Sequence, residues 1–329
     1  MFKNYILLCF LIVSFSSKAQ NLISPDSFLG YELGTVFSRH HQVVDYYKYL
    51  ESNSKWVNLQ SYGKTNEGRS LQLAFISSPE NLINIEKIRN NHLKNSGSKN
   101  GELNSDKVIV WLSYNVHGNE SSSTEASMKT IYNLITKHKD WLKDTIVIID
   151  PSINPDGRDR YVNWYNQKKR SPYNPNSFSR EHEEPWQNGR TNHYGFDLNR
   201  DWAWATQIET QQRLVKYNQW LPHIHVDFHE QGVNSPYYFA PAAEPIHENI
   251  TDFQISFQDV IGKNHAKYFD KNGWLYYTKE KFDLLYPSYG DTYPSFLGAV
   301  GMTYEQAGGG KAGLGLNNDE GIELKLVDR

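Results

Sequence analysis

Val108-Ile109-Val110-Trp111-Leu112-Ser113-Tyr114-Asn115-Val116-His117-Gly118-Asn119-Glu120 is the stretch on which the reading of this chain turns. Its first five residues are apolar and mostly branched, without polar alternation, the pattern of a strand buried on both faces of a largely parallel sheet. Its last four residues place a histidine and a carboxylate three positions apart, which is metal-ligand spacing. Open α/β sheets form their ligand crevices at the carboxyl ends of strands. Strand and polar tail are therefore expected to serve one site.

Working outward, Ile146 to Ile149 is a second run of this kind, and Met128, Ile131, Tyr132 and Ile135 between the two recur at helical spacing over about Ser122 to His138. This is a strand-helix-strand unit. Upstream, Ser38 stands as a capping residue before Val43, Tyr46, Tyr47 and Leu50, an i, i+3, i+4, i+7 stripe that predicts an early helix. Trp56 to Tyr62 and Leu71 to Ile76 read as strands on either side of the turn Gly63 to Gly68. Asn95 to Asp106 is a polar loop. Downstream, Thr206-Gln207-Ile208-Glu209 has the pattern of a capping box opening a helix to about Trp220, and Ile224, Val226 and Phe228 alternate as a further strand. Asn163 to Gly195 shows no sustained period and reads as a loop of over 30 residues. Compact domains seldom use loops longer than ~15 residues without a functional reason. Its aromatic residues Tyr161, Trp164, Tyr165, Tyr173, Phe178 and Trp186 are expected to pack and keep it ordered. No internal repeat or domain-scale linker interrupts the pattern. The expected architecture is a single α/β domain with a mixed, largely parallel central sheet flanked by helices.

The 329 residues, 38% of them hydrophobic, suffice for a substantial core. A net charge of -3 offers no basic stripe for nucleic acid or an anionic membrane surface. Lys3 and Asn4, the apolar run Tyr5 to Phe15, and then Ser16 to Gln20 follow the order of a secretory signal peptide, with cleavage expected after Ala19. The run is shorter than the roughly 20 residues that span a bilayer. Residues 1–19 are thus read as signal and 20–329 as the mature domain, exported to a periplasm or beyond, with no later membrane span. The one cysteine, Cys9, lies in that run, so the mature chain has no disulfide, thiol nucleophile or thiolate metal site.

Catalytic zinc takes three protein ligands from histidine and acidic residues and keeps a position open for water. His117 and Glu120 supply two. His223, His225, Asp227 and His229 alternate along one strand and share a face, so spacing alone leaves the third open. His229 is favoured because it ends the strand, with Asp227 placed to orient a ligating histidine and His223 and His225 read as sheet-face polarity. Glu305 follows the apolar run Ala299 to Tyr304 and precedes Gln306 to Gly310, where a carboxylate can act as general base for amide hydrolysis. Arg158 of Asn154-Pro155-Asp156-Gly157-Arg158, Arg190 and Arg200 are expected on loops at the same sheet end. There a guanidinium can grip a carboxylate or hold a developing oxyanion.

Taken together, the HxxE of His117 and Glu120, the NPDG at Asn154, the GRxN at Arg190, the DLNR at Asp197, the late strand histidine His229 and the final Glu305 resemble the zinc carboxypeptidase family, in its order. Glu67-Gly68-Arg69 resembles its early EGR turn. The likeness spans about 62–308. It implies one zinc per chain on His117, Glu120 and His229, with Glu305 as general base, Arg190 polarising the scissile carbonyl, and Asn199 and Arg200 holding a terminal carboxylate. It also implies a tyrosine closing over the substrate, for which Tyr286 and Tyr289 are the candidates. The chain is similar to the N-terminal catalytic part of exported bacterial members.

Two departures bear on this expectation. Glu230 follows His229 where relatives carry a small residue, and Glu230-Gln231-Gly232 is expected to line a neighbouring subsite. The sequence ends 24 residues after Glu305 with no pattern for the helix that closes the family fold, so exposed apolar sheet surface is expected. The function expected is removal of a C-terminal residue from peptides bearing a free carboxylate. The competing readings are an amidase or deacylase of small N-acyl amino acids or peptidoglycan stem peptides, and a peptide- or glycan-binding module without catalysis. Asp283 or Asp291 can favour a basic terminal residue or serve only as a solvated turn acid.

Overall fold

The computed structural model describes residues 22–102 and 107–329. The expected signal segment, 1–19, lies outside the described residues. Among the described residues no helix is long and apolar enough to cross a membrane. The chain opens with α1 (Pro25–Leu29), α2 (His40–Asn53), β1 (Val57–Lys64), β2 (Ser70–Ile76), α3 (Pro79–Ile83) and α4 (Ile85–Asn95). It continues through β3 (Val108–Tyr114), α5 (Ser122–Lys137), β4 (Thr145–Asp150), α6 (Pro155–Lys168), α7 (Ile208–Trp220) and β5 (Ile224–Gln231). Then come β6 (Tyr237–Tyr238), β7 (Ala243–Ile246), α8 (Asp252–Asn272), β8 (Tyr276–Tyr277), β9 (Asp283–Leu284) and α9 (Thr292–Phe296). The strands β10 (Val300–Ala307), β11 (Gly315–Asn317) and β12 (Glu323–Lys325) follow.

Eight strands form one mixed sheet in the order β1-β2-β4-β3-β5-β10-β6-β8. The β1–β2 hairpin is antiparallel, whereas β4, β3, β5 and β10 run parallel. Of these, β3 and β4 are continuous apolar runs because both their faces are covered. Val147 and Ile149 of β4 join Val43, Tyr46, Tyr47 and Leu50 of α2 and Met128, Ile131 and Ile135 of α5 in one core. Ile146 and Ile148 point the other way, onto Trp202, Tyr217 and Trp220. Each fully buried large apolar side chain contributes roughly 1.5–3 kcal/mol. The connection leaving β3 turns to β4 on one side, and β5 arrives on the other. The carboxyl ends of β3 and β5 therefore flank the crevice that such a reversal opens.

Three local expectations need correction. The segment after Asn163 is not all loop: α6 runs to Lys168, with Tyr161 and Tyr165 packed on Phe37. The rest of that stretch is tied by buried Glu181, which accepts from Arg170 N (3.0 Å) and Asn174 N (2.9 Å), while Phe178 and Trp186 are 88% and 90% exposed. The Thr206 capping box does not form, because the Asp201 carboxylate takes the Thr206 hydroxyl at 2.6 Å. Ser38 caps nothing either, donating instead to Glu125 Oε2 at 2.8 Å. An open groove of about 580 Å³ lies beside α8, lined in part by Phe228, Tyr237, Phe239 and Tyr304.

Candidate metal centre and active site

Asn115 turns the chain out of β3. Its φ of 59° is left-handed, a region that asparagine tolerates better than most residues. Its side-chain amide donates to the carbonyls of His117 (2.8 Å), Gly118 (3.3 Å) and Glu120 (3.1 Å), which curls the polar tail into a fixed loop. Gly118 is required by close approach: a Cβ there would lie 2.2 Å from Arg158 N.

The loop brings His117 Nδ1 to 2.9 Å from Glu120 Oε1, and β5 delivers His229 Nδ1 to 3.1 Å from Glu120 Oε2 and 3.2 Å from His117 Nδ1. Both ring orientations are set from behind. His117 Nε2 donates to Asp197 Oδ1 at 2.9 Å, and His229 Nε2 lies 3.0 Å from Asp227 Oδ2. A proton on each Nε2 leaves each Nδ1 as a lone pair, and two such nitrogens 3.2 Å apart repel unless a cation sits between them. The trio fits zinc: two imidazoles and a carboxylate converge from one side, each histidine braced by a carboxylate.

With no cation among them, the buried acids and histidines of the site act strongly on one another's protonation. Burial raises the Glu120 carboxyl, but the charges and hydrogen bonds of His117 and His229 more than offset it and hold it below the usual carboxylate range. Asp197 is likewise held low against burial by His117 and Arg190. Burial opposes protonation of His229, yet Asp227 and Glu120 carry it well above the ordinary histidine value. Glu305, whose β10 position pairs in register with His229, is pushed up to about 8, by burial first and then by Glu120 and Asp227.

Each candidate can now be placed. His117, Glu120, His229, Glu305, Arg190, Asn199, Arg200 and Tyr289 all line one open cavity of about 380 Å³. Arg190 donates to Glu120 Oε1 (3.2 Å) and Asp197 Oδ2 (3.1 Å), so it also braces the ligand shell. Asn199 Oδ1 accepts from Gly290 N at 2.8 Å, and Arg200 lies over the Tyr289 ring at 4.5 Å. Tyr286 does not line the cavity. Its hydroxyl accepts from Trp204 Nε1 at 2.9 Å, and its ring supports Tyr289 at 4.8 Å.

One arginine expectation is overturned, whereas Glu230 and Gln231 line the cavity as expected. Arg158 is not a loop residue: it is fully buried in α6, donating to the Ser38 carbonyl and Glu125 Oε1. Glu230 touches the cavity wall, but its carboxylate accepts from Ser122 N (3.0 Å) and Gly310 N (3.1 Å) and lies 3.4 Å from Arg329, a structural anchor. His225, read as sheet-face polarity, is fully buried in the core against Trp202 and Tyr217. Sequence reasoning missed Asn115, whose only signal was an asparagine between an apolar run and a histidine. It also missed Lys281 and Thr303, which line the cavity and carry no motif.

A parallel sheet with such a trio at its carboxyl edge and an acid facing it has the form that single-metal hydrolases use. The sequence profile of the zinc carboxypeptidases matches residues 43–271, and the chain belongs to that family. Glu305 and Tyr289 lie beyond the matched residues and enter the site only through the fold. Among solved structures, a metallo-carboxypeptidase from Burkholderia cenocepacia is similar at a TM-score of 0.56 and 15% identity, over 82% of this chain and 60% of that one. The carboxypeptidase A of Helicoverpa armigera gives 0.57 and 17%, over 86% and 70%. Bovine thrombin-activatable fibrinolysis inhibitor gives 0.58 and 15%, over 86% and 90%. The chain thus spans about 60% of the length of the Burkholderia protein. No curated protein sequence matches.

Proposed function

We propose that this protein is an exported zinc carboxypeptidase that hydrolyses the C-terminal amide bond of peptides. The observation that carries the reading is that the convergent trio His117, Glu120 and His229 faces the same cavity as Glu305, Arg200 and Tyr289. Zinc held by the trio supplies a Lewis acid and lowers the pKa of water toward ~7. Arg200 and Asn199 bind the substrate's terminal carboxylate, which sets the scissile bond beside Glu305. Glu305 takes the proton from the attacking water and passes it to the departing amine. Arg190, anchored on Asp197, holds the developing negative charge on the carbonyl oxygen. Tyr289, rather than Tyr286, closes over the bound residue.

Glu305→Gln is expected to lower turnover by 10²-fold or more while zinc stays bound at one per chain. Hydrolysis of C-terminally free peptides that survives this change would sink the mechanism. Peptides blocked by C-terminal amidation should be poor substrates. Equal cleavage of free and amidated peptides would remove the carboxylate role of Arg200.

A further inference from the structure

One layer inward from the candidate ligands the sheet is polar. Register sets Asp150 of β4, Ser113 of β3, Asp227 of β5 and Thr303 of β10 side by side on four adjacent strands, all of them buried. Side chains alternate along a strand, so Asp227 shares its face with His229 two residues on. Against this row α7 presents Arg213, fully buried, its guanidinium 3.9 Å above the Trp202 ring. Trp202, Tyr217 and His225 close the space with mutual ring contacts of 5.4–5.5 Å. Gly290 forms another wall, where a Cβ would lie 1.9 Å from Asp227 Oδ2 and 3.1 Å from Trp202 Nε1.

The polar atoms here do not reach one another. Among the described residues, all three guanidinium nitrogens of Arg213 lack a hydrogen-bond partner, as do Trp202 Nε1, both His225 ring nitrogens, the Tyr217 hydroxyl, Asp150 Oδ1 and both Asp227 oxygens, of which Oδ2 lies at ion-pair distance, 3.0 Å, from His229 Nε2. A guanidinium cannot shed its charge by losing a proton, and a buried unpaired ion costs several kcal/mol. Its electrostatic neighbours are Asp150 and Asp227. Donors and acceptors enclosed together without direct contact are what bridging water satisfies, since each water needs two to four polar partners.

We propose that Arg213 is a positioning residue of the metal centre: bridging water couples its guanidinium to the Asp227 carboxylate, which fixes His229 Nε2 and aims Nδ1 at the metal. The inference rests on the reading of His229 as a ligand. Asp150 shares the water without touching a ligand. Partners that hold a ligating histidine from behind change metal affinity by about 10–100-fold when removed.

The test compares the full chain with Arg213→Met and with Asp150→Asn/Arg213→Met, which removes the cation together with the acid that shares its water. Zinc affinity is read by competition with a chromophoric chelator, and ligand geometry by the visible spectrum of the cobalt(II)-loaded protein. Both variants are expected to bind zinc at least about tenfold more weakly and to shift the cobalt bands, with Arg213→Lys restoring most of the affinity. Wild-type affinity and an unchanged cobalt spectrum in a folded Arg213→Met protein would overturn the proposal, as would full recovery in the double variant. A high-resolution crystal structure of the unaltered protein decides without any variant. Water within hydrogen-bond distance of both Arg213 and Asp227 is required, and a dry chamber ends the idea. Failure of the unaltered chain to bind zinc at all would remove the metal-centre reading itself, which is a distinguishable result.

Discussion

At Gly290 the Asp227 carboxylate occupies the place where a side chain would begin. The same residue's N–H donates to Asn199 Oδ1, whose Nδ2 lies 3.3 Å from His229 Nε2. The loop that carries Tyr289 is therefore seated on two groups that touch a candidate ligand. Gly290→Ala forces either Asp227 or the loop to move, and overpacking of this kind costs about 1–3 kcal/mol. The variant is expected to lose that much stability in urea titration and to bind zinc more weakly. An alanine variant as stable and as tight as the parent would show that the contact is soft. At this scale the candidate pair His117 and Glu120 was legible, because so few residue types bind zinc. Tyr289 was not: Tyr286 has the same chemistry in the same segment, and only packing turns one to the cavity and the other to Trp204.

Among the elements, α6 shows where local signals mislead. Asn154-Pro155-Asp156-Gly157 reads as a turn, yet Asn154 Oδ1 accepts from Gly157 N at 3.0 Å, and Pro155 takes the first helical position, where its missing N–H costs nothing. Gly157 stays in the helix because the Gly189 carbonyl passes 2.3 Å from where its Cβ would be. At the next position Arg158 enters the core and joins α6 to α5 through Glu125 and to the chain before α2 through the Ser38 carbonyl. Removing one member of a buried ion pair strands the other. Arg158→Met is therefore expected to destabilise by about 3–5 kcal/mol, read by chemical denaturation. A loss below about 1 kcal/mol, the value of an exposed pair, would mean that Glu125 finds other partners.

For the molecule as a whole, the buried polar layer links stability to pH. Burial pushes Asp150 up to about 7 from its ordinary 3.8, against the opposing cation of Arg213. A raised carboxyl binds its proton more tightly folded than unfolded. The stability it contributes is complete below pH 3.8 and is lost as pH rises through about 7. Asparagine cannot ionise. Asp150→Asn should therefore gain stability relative to the parent between pH 5 and 8, on the order of 2–3 kcal/mol. Urea titrations across that range check this, and a difference independent of pH would show that Asp150 is ionised throughout.

The order of motifs along the chain determined the α/β class, the two-faced central strands β3 and β4 and the His117 and Glu120 pair. Each of these depends on residue type and short spacing. Apolar runs must be buried, amphipathic stripes must face a core, and only certain side chains hold zinc. Tertiary structure alone decided that Glu305, far along the chain, pairs in register with His229. It also decided that Arg158 and Glu230 are anchors, and that Asp150, Arg213 and Asp227 share one enclosed space. Those assignments depend on which faces meet, and that is set by the packing of the sheet against its helices, where side chains remote in sequence compete for the same volume and the same hydrogen bonds.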